Sequence, residues 1–325
     1  MPWFDFAEPE LRAYRCPTPE PDALDEWWKA RLEAARVLAE PPKLTRYRPD
    51  TYGPFPVWDI EFSGADGHRI RGWYLRPPGA DGQRPLPCVV TYIGYGGGRG
   101  LPLEHTLLPS AGFAELVMDV RGQGAGFAVG ATGDPGQHVA GPEHAGLMTR
   151  GIDDPAHYYF TRLLVDAAMA VECVADLPGV DASRIAVSGA SQGGGQALAA
   201  AALCGDLVRV CHADVPFLCD IQRAVTLSPV DPYTEIPKFL ALHVDQVATA
   251  LNTLRYVDCA LLARRITATC LLSVGLMDER CPPSTVFAAY NEITAPKDIA
   301  VYPFCGHDVP RAHLERQLDH LRATL

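Results

Sequence analysis

Apolar residues recur along the chain in two rhythms. Short, nearly continuous runs at 88–93, 113–120, 184–187, 208–215, 270–274 and 299–304 have the length and content of buried strands. Between them, 158–175, 196–202 and 312–321 read as helices. Near the start, 25–38 is amphipathic, with Trp28, Leu32 and Ala35 on one face at helical spacing. The tryptophans there read as packing residues. Segments 57–62 and 70–75 alternate apolar and polar positions around Gly64-Ala65-Asp66-Gly67, which predicts an antiparallel hairpin. A hairpin followed by alternating strands and helices predicts a mostly parallel central sheet with helices on both faces.

Two segments interrupt that alternation. Residues 124–157 are long, glycine-rich and aperiodic, and 216–256 hold several short helical pieces. Both follow strand C-terminal ends, where open α/β sheets carry their sites and lids. The expected organisation is one α/β domain over 1–325. It has an N-terminal helical extension and an inserted loop region around 124–157.

Composition narrows the function classes. The 325 residues are 48% hydrophobic, enough for one large core, and the net charge is −11. An acidic surface argues against nucleic acid and anionic membranes as partners. No stretch approaches the roughly twenty apolar residues of a membrane span, and the first residues lack the pattern of a signal peptide. The ten cysteines include no Cys-x-x-Cys pair, and Cys88, Cys211 and Cys270 fall in the strand-like runs. That usage argues against zinc and suits free thiols in a reducing cytoplasm. His105, His138, His144 and His157 match no metal-ligand spacing. His313 and His320, in the last helix, are expected to be solvated.

The chemistry is concentrated at Gly189-Ala190-Ser191-Gln192-Gly193, a Gly-x-Ser-x-Gly sequence between the strand at 184–187 and the alanine-rich helix at 196–202. Strand, tight turn, serine and helix together form the context of a nucleophile elbow, and with the sheet pattern this points to an α/β-hydrolase fold. Gly189 and Gly193 would remove Cβ atoms where the turn is tightest. The spacing is wrong for a dinucleotide or phosphate loop.

A serine nucleophile needs a base, and the base needs an orienting carboxylate, in the chain order Ser, Asp or Glu, His. Asp278 follows the strand at 270–274 and His307 follows the strand at 299–304, both at strand ends. Competing readings make Asp278 a helix cap or a partner of Arg280. Asp308 is a rival orienter, but its adjacency to His307 suits a loop-holding role better. Two backbone N–H donors are needed for an oxyanion: Gln192 by position after the nucleophile, and Tyr95, flanked by Gly94 and Gly96.

Three motifs, Arg121-Gly122-Gln123, Gly189-Ala190-Ser191-Gln192-Gly193-Gly194 and Gly306-His307-Asp308, occur in an order and approximate spacing that resemble the acetyl xylan esterase / cephalosporin C deacetylase family, carbohydrate esterase family seven. The likeness extends through 146–152, Tyr158-Tyr159, Leu276-Met277-Asp278 and 282–291, and so over nearly the whole chain. The resemblance implies a serine esterase that needs no metal or cofactor and removes acetyl groups from small acetylated sugars and cephalosporin C. It implies a cytoplasmic homo-oligomer, a hexamer, with sites facing an internal cavity. It places Ser191, Asp278 and His307 in the triad, Tyr95 and Gln192 at the oxyanion hole, and Phe217 and Pro232 along the acyl pocket. The family carries His-Glu where this chain has His307-Asp308, and His-Gly-Tyr where it has Ile93-Gly94-Tyr95. Arg121 and Gln123 read as residues that tie neighbouring loops together by hydrogen bonds. The rival readings are an esterase of another specificity on the same fold and a catalytically silent binding protein.

Overall fold

The computed structural model describes residues 4–80, 84–135 and 146–325. Its strands are β1 (Lys43–Arg46), β2 (Val57–Ser63), β3 (Arg69–Leu75), β4 (Leu86–Tyr92), β5 (Ala114–Met118), β6 (Val180–Ala190), β7 (Val208–Asp214), β8 (Thr269–Gly275) and β9 (Lys297–Tyr302). They form one nine-stranded sheet in the order β1-β2-β3-β5-β4-β6-β7-β8-β9. The pairs from β1 through β3 to β5 are antiparallel, and all pairs from β5 through β4 to β9 are parallel. This is the hairpin opening and parallel continuation that the hydrophobic pattern predicts.

The central strands are buried because helices cover both sheet faces. Tyr159–Ala175 is buried almost throughout and packs on Gln192–Leu203, whose alanines let the two helices approach closely. The N-terminal helix Leu24–Val37 buries Leu24, Trp28, Leu32 and Ala35, and Trp28 donates its indole N–H to the Tyr256 carbonyl at 3.0 Å. Its tryptophan is therefore a packing residue with its one polar atom satisfied.

Two elements differ from the sequence expectation. Strand β1 escapes the pattern because all four of its residues are exposed; it is a short, basic edge strand with no buried face to imprint alternation. The elbow helix begins at Gln192, four residues earlier than expected. Glycines 193–195, which look like helix breakers, are inside it because the helix is pressed against neighbouring backbone. A Cβ on Gly193 would overlap the Tyr92 carbonyl, and one on Gly194 would lie 2.9 Å from the Asp214 carbonyl oxygen. Close approach, rather than turn formation, explains these glycines.

His313 corrects another expectation. It is buried, not solvated: Nδ1 meets the Tyr302 hydroxyl at 2.9 Å, and Nε2 lies 3.0 Å from Asp214 Oδ1. Gln317 donates to the other oxygen of Asp214 at 2.9 Å. The final helix, Ala312–Thr324, is thus fastened to the C-terminal end of β7, directly behind the elbow.

Glu115 in β5 is a buried carboxyl with no cationic partner among the described residues. Its Oε1 accepts from the Thr91 hydroxyl at 2.7 Å, while Oε2 has no partner among the described residues. Burial pushes this carboxyl up to about 8, against the opposing pull of the Thr91 bond. The native state therefore holds a proton that the unfolded chain releases above about 4.5, so this group's contribution to stability falls as pH rises through that window. Glu115→Gln keeps the acceptor for Thr91 and removes the titration. In urea denaturation from pH 4.5 to 8, the variant should gain stability relative to wild type progressively as pH rises. A difference that stays flat with pH would show that Glu115 is not protonated in the fold.

Candidate active site

The elbow is built by close backbone packing. Ser191 has φ 58° and ψ −120°, a region that costs a side-chain-bearing residue on the order of 1–3 kcal/mol. Its N–H donates to the Asp214 carbonyl at 2.9 Å, and its carbonyl accepts from Phe217 N at 2.9 Å and Gly195 N at 3.0 Å. A Cβ on Gly189 would overlap the Gly193 backbone, so the strand and helix can meet at this angle only with glycine there. The strained serine is thereby held at the N-terminus of Gln192–Leu203, where the helix end favours negative charge.

His307 and Asp278 arrive from the loops after β9 and β8. His307 Nε2 lies 2.8 Å from Ser191 Oγ, and its Nδ1 lies 2.8 Å from Asp278 Oδ2. Asp278 is fully buried, and its Oδ1 accepts from Arg280 N at 2.8 Å and Cys281 N at 2.9 Å. Those two N–H groups orient the carboxylate, and an Asp278 acceptor fixes the proton on Nδ1. Nε2 then has its lone pair directed at the serine hydroxyl. Asp278 is thus not paired with the Arg280 guanidinium; it is Arg280's backbone that it engages. Asp308, expected to hold the loop, is exposed on the cavity wall and makes no hydrogen bond among the described residues.

The loop after β4 carries Tyr95 beside Ser191. Neither the Tyr95 nor the Gln192 backbone N–H meets an acceptor among the described residues. Gln123 joins their two loops. Its Oε1 accepts from Gly96 N at 2.6 Å, while its Nε2 lies 2.9 Å from Gln192 Oε1 and 2.8 Å from the Tyr159 hydroxyl. Tyr159 in turn donates to the Arg121 carbonyl at 2.6 Å. The Arg121 guanidinium is fully buried against Asp166, with N···O distances of 2.5 and 2.7 Å. Burial alone would lower the pKa of that guanidinium; the Asp166 carboxylate overrides this and raises it. Arg121 and Gln123 therefore tie loops together by hydrogen bonds.

Sequence reasoning missed Glu235. The Tyr95 hydroxyl donates to Glu235 Oε1 at 3.0 Å and accepts from Leu147 N at 2.8 Å, while Glu235 Oε2 accepts from Met148 N at 2.9 Å. Burial, reinforced by the neighbouring Glu235 charge, raises the Tyr95 phenol. A buried glutamate inside the irregular 216–256 segment carries no local pattern that would have marked it.

Ser191, His307 and Tyr95 face a cavity of about 760 Å³, lined also by Phe127, Pro232 and Arg280. Pro232 lies on its wall. Phe217 does not: it is buried one layer behind, 4.2 Å from the ring centre of Tyr233 and 6.3 Å from that of Phe160. Its backbone N–H, which holds Ser191, is its link to the site. Potential metal-ligand atoms cluster at Asp278, Cys281 and His307 and at Cys16, Asp220 and Asp258. In both clusters carboxylate oxygens are already engaged by hydrogen-bond donors, Asp278 as described and Asp258 by the N–H groups of Asp220, Ile221 and Ala260. His105 is bonded to the Arg99 carbonyl and His157 to Asp154, while His138 and His144 lie outside the described residues.

The arrangement can deliver an alkoxide-like serine to a carbonyl carbon and receive the resulting oxyanion. The chain is similar to known acetyl esterases. The acetyl esterase Axe7A of Xylanibacter ruminicola is 29% identical over 300 residues, which cover 89% of this chain and 64% of that protein. This chain therefore spans just under two thirds of that relative. The acetyl xylan esterase from Paenibacillus sp. R4 superposes with a TM-score of 0.92 at 35% identity, over 98% of this chain and all of the other. Acetyl xylan esterase 1 from a Thermoanaerobacterium species gives a TM-score of 0.89 at 34% identity, over 98% of each chain. The family model for acetyl xylan esterase (AXE1) matches residues 1–323, and the chain belongs to that family.

Proposed function

We propose that this protein is a serine esterase that removes acetyl groups from small acetylated carbohydrates through an acetyl-enzyme intermediate. The observation that carries the reading is the unbroken hydrogen-bonded line from Asp278 through His307 to Ser191 at the head of a helix. His307 Nε2 takes the Ser191 proton as Oγ attacks the acetyl carbonyl. Asp278 keeps the imidazole in the reactive tautomer and stabilises its charged form. The N–H groups of Gln192 and Tyr95 receive the oxyanion. The imidazolium returns its proton to the departing alcohol, and a water activated by the same histidine releases acetate.

Cephalosporin C, which combines an acetyl ester with a compact bicyclic alcohol, belongs to the same substrate proposal. An esterase of longer acyl preference is the competing reading, and the acyl series below separates the two. Pro232 is proposed to limit the acyl end of the cavity. The ten unpaired cysteines support a cytoplasmic setting. Exposed Leu101, Phe127 and Val129 around one surface recess beside the site support self-association, and a hexamer is the assembly proposed.

Acetate release from acetylated xylose and cephalosporin C, with nitrophenyl acetate and octanoate alongside, tests the reading. Wild type should release acetate and prefer the acetyl over the octanoyl ester, and Ser191→Ala should lose on the order of a million-fold in turnover. Comparable rates for both acyl lengths would favour the competing reading. Gln123 tests the positioning of the oxyanion donors, because it touches both loops without lining the cavity. Gln123→Ala should lower kcat by roughly ten- to a hundredfold with little change in KM, as expected when a misplaced group acts mainly in the transition state. A rise in KM at constant kcat would assign Gln123 to ground-state binding.

A further inference from the structure

The geometry points to an anionic leaving group: Arg280 and Arg311, on the wall of the catalytic cavity, form a site for a carboxylate carried by the alcohol half of the ester. The inference rests on the esterase reading and adds the chemistry of the substrate. A cavity of about 760 Å³ is far larger than an acetyl group, so most of it is available to the alcohol.

Apart from His307, the cationic side chains lining that cavity are these two arginines. Both are exposed, and neither guanidinium meets a carboxylate among the described residues. Several arginines elsewhere have such partners, Arg36 with Glu172, Arg71 with Glu61 and Arg265 with Glu20, while others such as Arg48 and Arg209 do not. Arginine cannot shed its charge, and its planar fork matches a carboxylate bidentately. Two arginines without a carboxylate partner thus line one cavity of a chain with net charge −11.

Arg280 is also held in place. Its backbone N–H is fixed on Asp278, the residue that orients His307, and its Nε donates to the Asp231 carbonyl at 3.1 Å. Arg311 opens the turn before the helix Ala312–Thr324, on the opposite side of His307 in the chain. Three aspartates also line the cavity, Asp214, Asp231 and Asp308, and the Asp214 carboxylate is taken up by Ser273 and Gln317. Asp231 is compensated by Lys238 at 3.1 Å, which leaves Asp308 as the opposing charge. The balance at the mouth is two cations to one free carboxylate.

The substrate class that fits is an acetylated acidic sugar, a uronate rather than a neutral pentose. The test uses two isosteric substrates, acetylated methyl glucuronoside with a free carboxylate and its glucuronamide, with acetate release measured at low and at high salt. Wild type should show a kcat/KM about tenfold higher for the acid at low salt, and the ratio should shrink as salt screens the pair. In Arg280→Gln/Arg311→Gln the ratio should fall toward one, chiefly through KM for the acid. Equal values for acid and amide, no reaction with either, or a preference that survives in the double variant would overturn the inference. Nitrophenyl acetate hydrolysis by the same preparation keeps the two readings apart. If that activity is present while acid and amide are equal, only the charge recognition fails; if it is absent, the esterase reading fails with it.

Discussion

The rest of the site depends on one backbone constraint, the strained conformation of Ser191 between β6 and the following helix. A residue with φ 58° and ψ −120° does not hold that shape by its own preference. It is held because its N–H and carbonyl are both engaged by backbone groups from β7 and the loop beyond it, and because glycines on both sides allow main chains to touch. The strain of one residue is thus distributed over the most deeply buried part of the sheet. The same contacts aim the helix N-terminus at the place where negative charge would form. All of these contacts are made within the protein itself, which is the sense in which the site is preorganised.

A second layer connects the parts that approach the serine from different strand ends. Gln123 bonds to the loop after β4 and to Gln192 on the elbow, and the buried Arg121–Asp166 pair anchors the segment from which Gln123 extends. Asp166 also accepts from Ala65 N at 2.8 Å, so this anchor reaches the β2–β3 hairpin. A buried ion pair of this kind contributes little net stability compared with an apolar replacement, but removing one partner strands a charge. Its value here is positional. The polar groups behind the elbow act similarly: Asp214 gives its carbonyl to Ser191 and its carboxylate to Ser273 and Gln317, with His313 Nε2 3.0 Å away. The last helix of the chain is thereby coupled to Ser191.

Much of this was legible in the sequence because it is local. Ser191, Asp278 and His307 each sit one turn beyond a run of apolar residues, and a buried parallel strand leaves that signature whatever covers it. What was illegible is what depends on distant packing. Glu235 meets Tyr95 across 140 positions of chain, and no periodicity announces it. Phe217 carries the right residue type for an acyl pocket, yet its ring turns into the layer of Tyr233 and Phe160. His313 lies on a helix that looks solvated from its polar residues, but the helix lies on a sheet face that is itself polar at Asp214. Strand β1 has no buried side. In each case the deciding quantity is which surface faces which neighbour, and that is fixed only once the sheet has assembled.

The central claim is that Ser191, activated by His307 and Asp278, is the nucleophile. Reaction with a fluorophosphonate probe, read by intact mass and peptide mapping, tests it most directly. The probe forms a stable bond only with a hydroxyl that is deprotonated as it attacks, so labelling reports the working constellation and not exposure alone. The account predicts one equivalent per chain, located on Ser191, and no incorporation after His307→Ala, which leaves the serine in place without its base. Labelling at another residue, or full labelling of Ser191 without His307, would contradict it.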